Sequence, residues 1–217
     1  MVREGFDLSL SELKTQVVQM MDDVDEIMEK SVRSLIEQDM ETARWAISFD
    51  DVIDSLRDDI EERCIDLLAL QLPAARDLRI LFSILSIVND LERMGDYSVN
   101  IAKEAILIGD EQHIKPLKDI PKMKIIISEM IKNTKKSFIE EDSRLAYRVG
   151  SEDELVDELY KNIYNEILHK VNENAGNISQ GTRFLFVGRY LERMGDHLTN
   201  ICEKIIYIVD GKRVEIN

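Results

Sequence analysis

The sequence predicts an all-α protein built as two tandem, duplicated three-helix bundles. Three observations carry that prediction. Only three prolines and nine glycines punctuate 217 residues, too few for an all-β fold with many turns. Apolar residues recur at three- and four-residue steps along nearly the whole chain, the period of an amphipathic helix. One phrase is also written twice: residues 91–106 read LERMGDYSVNIAKEAI and residues 191–206 read LERMGDHLTNICEKII, identical at nine of sixteen positions.

The elements follow in order. A first helix spans Leu8 to Glu37 on a stripe of Leu10, Leu13, Val17, Met20, Met21, Val24, Ile27, Met28, Val32, Leu35 and Ile36. Asp39 suits the start of the next helix, about Glu41 to Leu70, because its carboxylate can accept from free backbone N–H groups. Pro73 opens a third helix, where a missing N–H costs nothing, and Gly109 ends it after Ile108. GDEQHIKPLKDIP, with Pro116 and Pro121, is the linker. The plan then restarts, with helices at about Lys122–Glu140, Asp142–Asn172 and Ile178–Val209. The stretch NENAGN supplies the last turn and Gly211 the stop. The repeats are 1–112 and 113–217. A second match supports the duplication: Asp39, Ala43, Ala46, Asp50, Ile53 and Asp54 have the same spacing as Asp142, Ala146, Val149, Asp153, Val156 and Asp157.

Hydrophobic residues make up 44% and charged residues 33%, enough apolar material for a core. The net charge of −15 repels nucleic acid and anionic membrane surfaces and suits cations or basic partners. Cys64 and Cys202 lie in apolar helical patterns with no CxxC spacing, as expected of reduced core residues in a cytosolic protein. MVREGFDLSL has no apolar signal core, and no apolar run reaches the length of a membrane span. Trp45 reads as a packing anchor and the methionines as core filler. Arg76 and Arg79, in PAARDLR, either pair with nearby acids or face a partner.

Carboxylates carry the chemistry. Each half holds two acidic pairs four residues apart: Asp50/Asp54 and Glu92/Asp96, then Asp153/Asp157 and Glu192/Asp196. Like charges at that spacing share a helix face and cost roughly 0.2–0.5 kcal/mol per pair. In an antiparallel hairpin of the second and third helices, Asp54 lies level with Glu92 and Asp50 with Asp96, both pairs centred on Pro73. Asp157/Glu192 and Asp153/Asp196 are both centred between Asn174 and Ala175, inside NENAGN. Four carboxylates then converge midway along each bundle, where some take up protons or a cation sits among them. An oxygen donor set suits Mg, Mn or Fe, and Zn remains open. Asn100 and Asn200 extend the stripe as candidate additional ligands. Gly95 and Gly195, each costing about 1 kcal/mol mid-helix, fit a close approach by a ligand or a neighbouring helix.

An enzyme reading, a metal-dependent hydrolase or oxidase on a helical scaffold, lacks the Glu-x-x-His pairs of di-iron bundles. His197 directly follows Asp196 and points away from the acidic stripe, as a surface or outer-sphere residue. No catalytic residue is assigned. A third reading is a plain helical scaffold whose acids form a solvated face. With no glycine-rich anion nest, the chain is a poor direct phosphate sensor.

These residues resemble the PhoU family, regulators associated with bacterial phosphate-specific transport. The resemblance rests on DDVID with LERMGDYSVNIA, EDELVD with LERMGDHLTNICE, LPAARDLR and the closing IVDG. It implies two similar three-helix bundles in a cytoplasmic, commonly dimeric protein. It also implies a negative regulator that contacts the ATPase subunit of the Pst transporter and a PhoR-like sensor kinase, and so meets the membrane only through partners. In some members the acidic motifs hold multinuclear iron or zinc clusters. That would place Asp50, Asp54, Glu92 and Asp96 on one cluster and Asp153, Asp157, Glu192 and Asp196 on the other. Asp51, Glu152 and Glu154 leave the ligand choice open.

Overall fold

The computed structural model describes residues 2–70 and 74–216, with side chains for 4–69 and 74–216. It is all helical: α1 (Val2–Glu37), α2 (Met40–Leu70), α3 (Ala75–Ile108), α4 (Asp119–Glu140), α5 (Ser143–Gly150), α6 (Asp153–Glu173) and α7 (Ile178–Asp210), with a short 3₁₀ turn at Ala175–Asn177. The proline predicted to open α3, Pro73, lies outside the described residues.

The predicted α1 stripe is buried from Leu10 to Leu35, and only Ile36 of the set is exposed. Met20, Met21, Met28, Met94, Met123, Met130 and Met194 all lie in the core. Burying each such side chain contributes about 1.5–3 kcal/mol. Trp45 stacks on Phe49 with ring centroids 4.6 Å apart, and the Lys30 ammonium sits 3.5 Å over the Trp45 ring. Cys64 and Cys202 are free and buried.

Helix ends follow the local chemistry. Asp39 Oδ1 accepts from the N–H groups of Glu41 and Thr42, and Asp142 Oδ1 accepts from those of Arg144 and Leu145. The residues before these caps, Gln38 and Glu141, both take positive φ. Gly109 and Gly211 end α3 and α7, also at positive φ. Helix α4 starts earlier than predicted, at Asp119, because Pro121 is tolerated in a first turn whose N–H groups have no helical acceptor. The connection from α3 is pinned by side-chain amides. Gln38 Nε2 donates to the carbonyls of Gly109 and Glu111, and Gln180 Oε1 accepts from the Ile114 N–H at 2.6 Å.

The single predicted helix Asp142–Asn172 is interrupted. Ser151 and Glu152 keep helical angles but tighten to ψ −12°. Glu152 N–H donates to the Val149 carbonyl three residues back, a 3₁₀ pattern. The Gly150 carbonyl is taken by the Thr199 hydroxyl at 3.2 Å. The C-terminal segment folds against this point, and a Cβ on Gly150 would come within 2.6 Å of Ile216 Cδ1. The first half carries Ile47, Ser48 and Phe49 at the matching positions, and there α2 runs on unbroken.

The two halves meet chiefly through α3 against α7, and one apolar core runs through both. The crossing repeats the duplication. His197 Nδ1 meets Asp90 Oδ1 at 2.8 Å, and the Tyr97 and Tyr190 rings stack at 5.9 Å. Each pair becomes the other when a residue is exchanged for its counterpart in the opposite repeat, so α3 and α7 run antiparallel about a local pseudo-twofold.

Candidate metal centre

The acidic pairs lie on α2 and α3 in the first half, and on α6 and α7 in the second. The long α2–α3 hairpin brings Asp50 against Gly95, where a Cβ would stand 3.3 Å from Asp50 Oδ1. A Cβ on Gly195 would overlap Asp153 Oδ1 outright. Gly195 therefore makes room for the carboxylate of the neighbouring helix, and Gly95 sits close against Ile53 and the Asp50 carboxylate, both at the level of the predicted midpoint.

Electrostatics agree with this convergence. Burial, then the charges of Asp54, Asp96 and Glu92, push the Asp50 carboxyl from 3.8 up to about 6. Burial raises Glu92 as well, with Asp96 and Asp54 adding to it and Arg93 and Arg57 opposing. In the second half, burial raises Glu192, opposed chiefly by Arg189, with Asp196 and Asp157 reinforcing the rise. Asp153 and Glu192 are buried, and the other six carboxylates are partly buried. Asn100 is partly buried and Asn200 exposed, both further along the same helices.

Arginines share these acids. Arg57 Nη1 lies 3.2 Å from Glu92 Oε1, and Arg93 Nη1 lies 3.1 Å from Asp96 Oδ2. Arg193 makes the same 3.1 Å contact with Asp196, and Arg189 pairs closely with Glu192. Arg57 and Arg189 escaped the sequence reading. For Arg189 the signal was present, three residues before Glu192, the spacing of an intrahelical ion pair, whereas Arg57 reaches Glu92 across the hairpin, which no local spacing announces. His197 does turn from the acids, but it packs between the halves on Asp90 and Tyr97 rather than at the surface.

As they lie, no three or more carboxylate, imidazole or thiol groups among the described residues are grouped to hold a metal ion. Donor type and charge nevertheless fit a cation. The sites are all oxygen, and Glu192 Oε2 is buried without a hydrogen bond, its Arg193 contact being 3.9 Å long. An unpaired buried carboxylate oxygen is costly, and a cation would satisfy it. Holding one requires the carboxylates to swing from the arginines toward each other.

A PhoU domain model matches residues 17–105 and again 120–205. The phosphate-specific transport system accessory protein PhoU homolog of Clostridium acetobutylicum is 39% identical, with all of both chains covered. The homolog from Aquifex aeolicus is 42% identical over 95% of this chain and 93% of its own. The crystal structure of PhoU from Pseudomonas aeruginosa superposes with a TM-score of 0.91 at 31% identity, covering 95% of this chain and 100% of that one. The phosphate transport system regulatory protein PhoU from Streptococcus pneumoniae gives the same TM-score and identity over 97% and 99%. No described helix is long and apolar enough to cross a membrane.

Proposed function

The chain belongs to the PhoU family, and from that premise we propose that it is a regulatory adaptor of phosphate uptake rather than a catalyst. When phosphate is plentiful it restrains the transporter and the phosphate-starvation response. It does so from the cytosolic side, by docking on the ATPase subunit of the transporter and on a PhoR-like sensor kinase. The observation that carries this reading is likeness over the full length to proteins named as accessory to phosphate-specific transport.

We assign Asp50, Asp54, Glu92 and Asp96 to one metal site, and Asp153, Asp157, Glu192 and Asp196 to the other. Bound there, iron or zinc would supply the positive charge that holds each acidic hairpin together. Gly95 and Gly195 keep the paired helices close enough for both to contribute oxygens. Arg57, Arg93, Arg189 and Arg193 neutralise the same acids in the absence of a cation. A hydrolase or oxidase would need an open coordination position at the metal and a general base that is not itself a ligand. The cations that act on the carboxylates are chiefly arginines, with Lys103 near Asp50, and His197 is engaged by Asp90.

The test is elemental analysis of protein purified without chelator or metal resin, beside an Asp96→Asn/Asp196→Asn variant, with binding of both to the purified ATPase subunit. The expected result is bound iron or zinc that the variant lacks, with weaker partner binding. Metal content unchanged in the variant would remove the metal assignment. A metal-free, folded wild type that still binds the subunit would make the acids a contact surface.

A further inference from the structure

The α3/α7 crossing is symmetric at its middle but not at its ends. At one end Arg183 of α7 pairs with Glu104 of α3 at 2.9 Å, and Glu104 is only 12% exposed. One repeat away, the counterparts are Ser83 on α3 and Lys204 on α7. Serine is too short and carries no charge to reproduce that pair, and the crossing opens there into a cleft of about 500 Å³. Arg79, Phe82 and Ser83 line it from α3, Lys204 and Tyr207 from α7, and Arg213 from the C-terminal segment.

Two polar groups in this cleft are buried without a hydrogen bond among the described residues: Arg79 Nε and Ser83 Oγ. Ser83 is 2% exposed. They stand four residues apart on one face of α3. A buried donor left unpaired is costly, so two on one wall point to a ligand that supplies acceptors. Glu203 also lines the cleft, but its Oε1 already accepts from the Ile216 N–H at 3.0 Å. Three cationic side chains thus line the cleft with one engaged carboxylate, in a chain whose net charge is −15.

We propose that this cleft binds a small organic phosphate. The phosphoryl group lies against Arg79 and Ser83 with Lys204 and Arg213 at its edge. The apolar or aromatic body lies along Phe82, which is 59% exposed, and Tyr207. A planar carboxylate is satisfied by one guanidinium fork, whereas donors converging from two helices and a terminal segment suit a tetrahedral dianion. The cleft is far larger than one such ion needs, and it falls within the ~300–1,000 Å³ range of small-molecule sites. Arg213 stands over the Tyr207 ring at 5.6 Å, which puts its charge at the aromatic edge of the cleft. The site lies on α3 and α7 but uses none of the eight acidic residues.

Arg79 also abuts Gly211 at the end of α7, so its replacement risks the helix terminus. The test therefore uses Lys204→Gln and Ser83→Ala in the full chain, with calorimetric titration of AMP, inorganic phosphate and adenosine. AMP and phosphate should each saturate and compete, AMP binding more tightly and adenosine not at all. Lys204→Gln should weaken both about tenfold or more, as for loss of a charge-assisted hydrogen bond. Ser83→Ala should weaken both without lowering the melting temperature of the ligand-free protein, since it removes an unpaired hydroxyl, and Asp96→Asn/Asp196→Asn should leave both intact. Failure of either phosphate-bearing probe to saturate at millimolar concentration overturns the proposal. Wild-type affinity in both cleft variants does so too, as does loss of binding in the carboxylate variant alone.

Discussion

Replacing Asp50 with Asn should change protein stability in opposite directions with and without metal. Asp50 is held at about 6 against an ordinary 3.8 by burial and by Asp54, Asp96 and Glu92. Counted in full, a shift of that size corresponds to roughly 3 kcal/mol. Asp50 is only partly buried, so solvent screening reduces the usable figure to about 1 kcal/mol. The sign follows from proton binding. The folded carboxyl keeps its proton to higher pH than the unfolded chain does. Its contribution is complete below 3.8 and is lost as pH rises through about 6. Asn carries no charge at any pH. In chelator-treated protein, Asp50→Asn should therefore raise stability at neutral pH by about 1 kcal/mol and flatten the fall between pH 3.8 and about 6. In iron- or zinc-saturated protein the same change removes a ligand, and the variant should be the less stable of the two. Urea titrations over a pH series, with and without metal, read both effects. Equal destabilisation under both conditions would refute the claim that the four carboxylates repel one another across the hairpin.

Other expectations concern packing and capping. Gly195→Ala should destabilise by about 1–3 kcal/mol, because its Cβ overlaps Asp153. Gly95→Ala should be near neutral, because its 3.2–3.4 Å contacts are tolerable and alanine returns about 1 kcal/mol of helix propensity. Urea midpoints of the two variants compare them directly. Asp39→Ala and Asp142→Ala should each cost about 1 kcal/mol by loss of an N-cap, again by urea midpoint. His197→Ala should cost about 1 kcal/mol and speed amide exchange in facing turns of α3 and α7, since its ring ties the halves together. Arg57→Gln with Arg189→Gln should tighten metal binding several-fold in a chelator competition, by removing about 1 kcal/mol of competing ion pair.

What the chain says of itself is mostly local and periodic. The α1 stripe, the caps at Asp39 and Asp142 and the stops at Gly109 and Gly211 are readable because each depends on neighbours within a turn or two. The meeting of acidic pairs across each hairpin was also readable, since level residues in an antiparallel hairpin share a midpoint. Gly95 and Gly195 then find their reason in Asp50 and Asp153. The interruption at Gly150 was not readable, because the groups that meet it there, the Thr199 hydroxyl and the Ile216 side chain, come from segments distant in sequence. Nor were the pairings of Asp90 with His197 and Glu104 with Arg183, because no local spacing joins residues that distant. The absence of a glycine-rich loop made the chain look unfit for phosphate. Yet Arg79, Lys204 and Arg213 come from three separate segments, and only the packing of α3 on α7 brings their charges to one cleft. Sequence thus determined the helices and the acidic hairpins, whose forces act along a short stretch of backbone. Tertiary structure decided how two similar halves face each other, because burial and charge act through space between residues with no fixed separation along the chain.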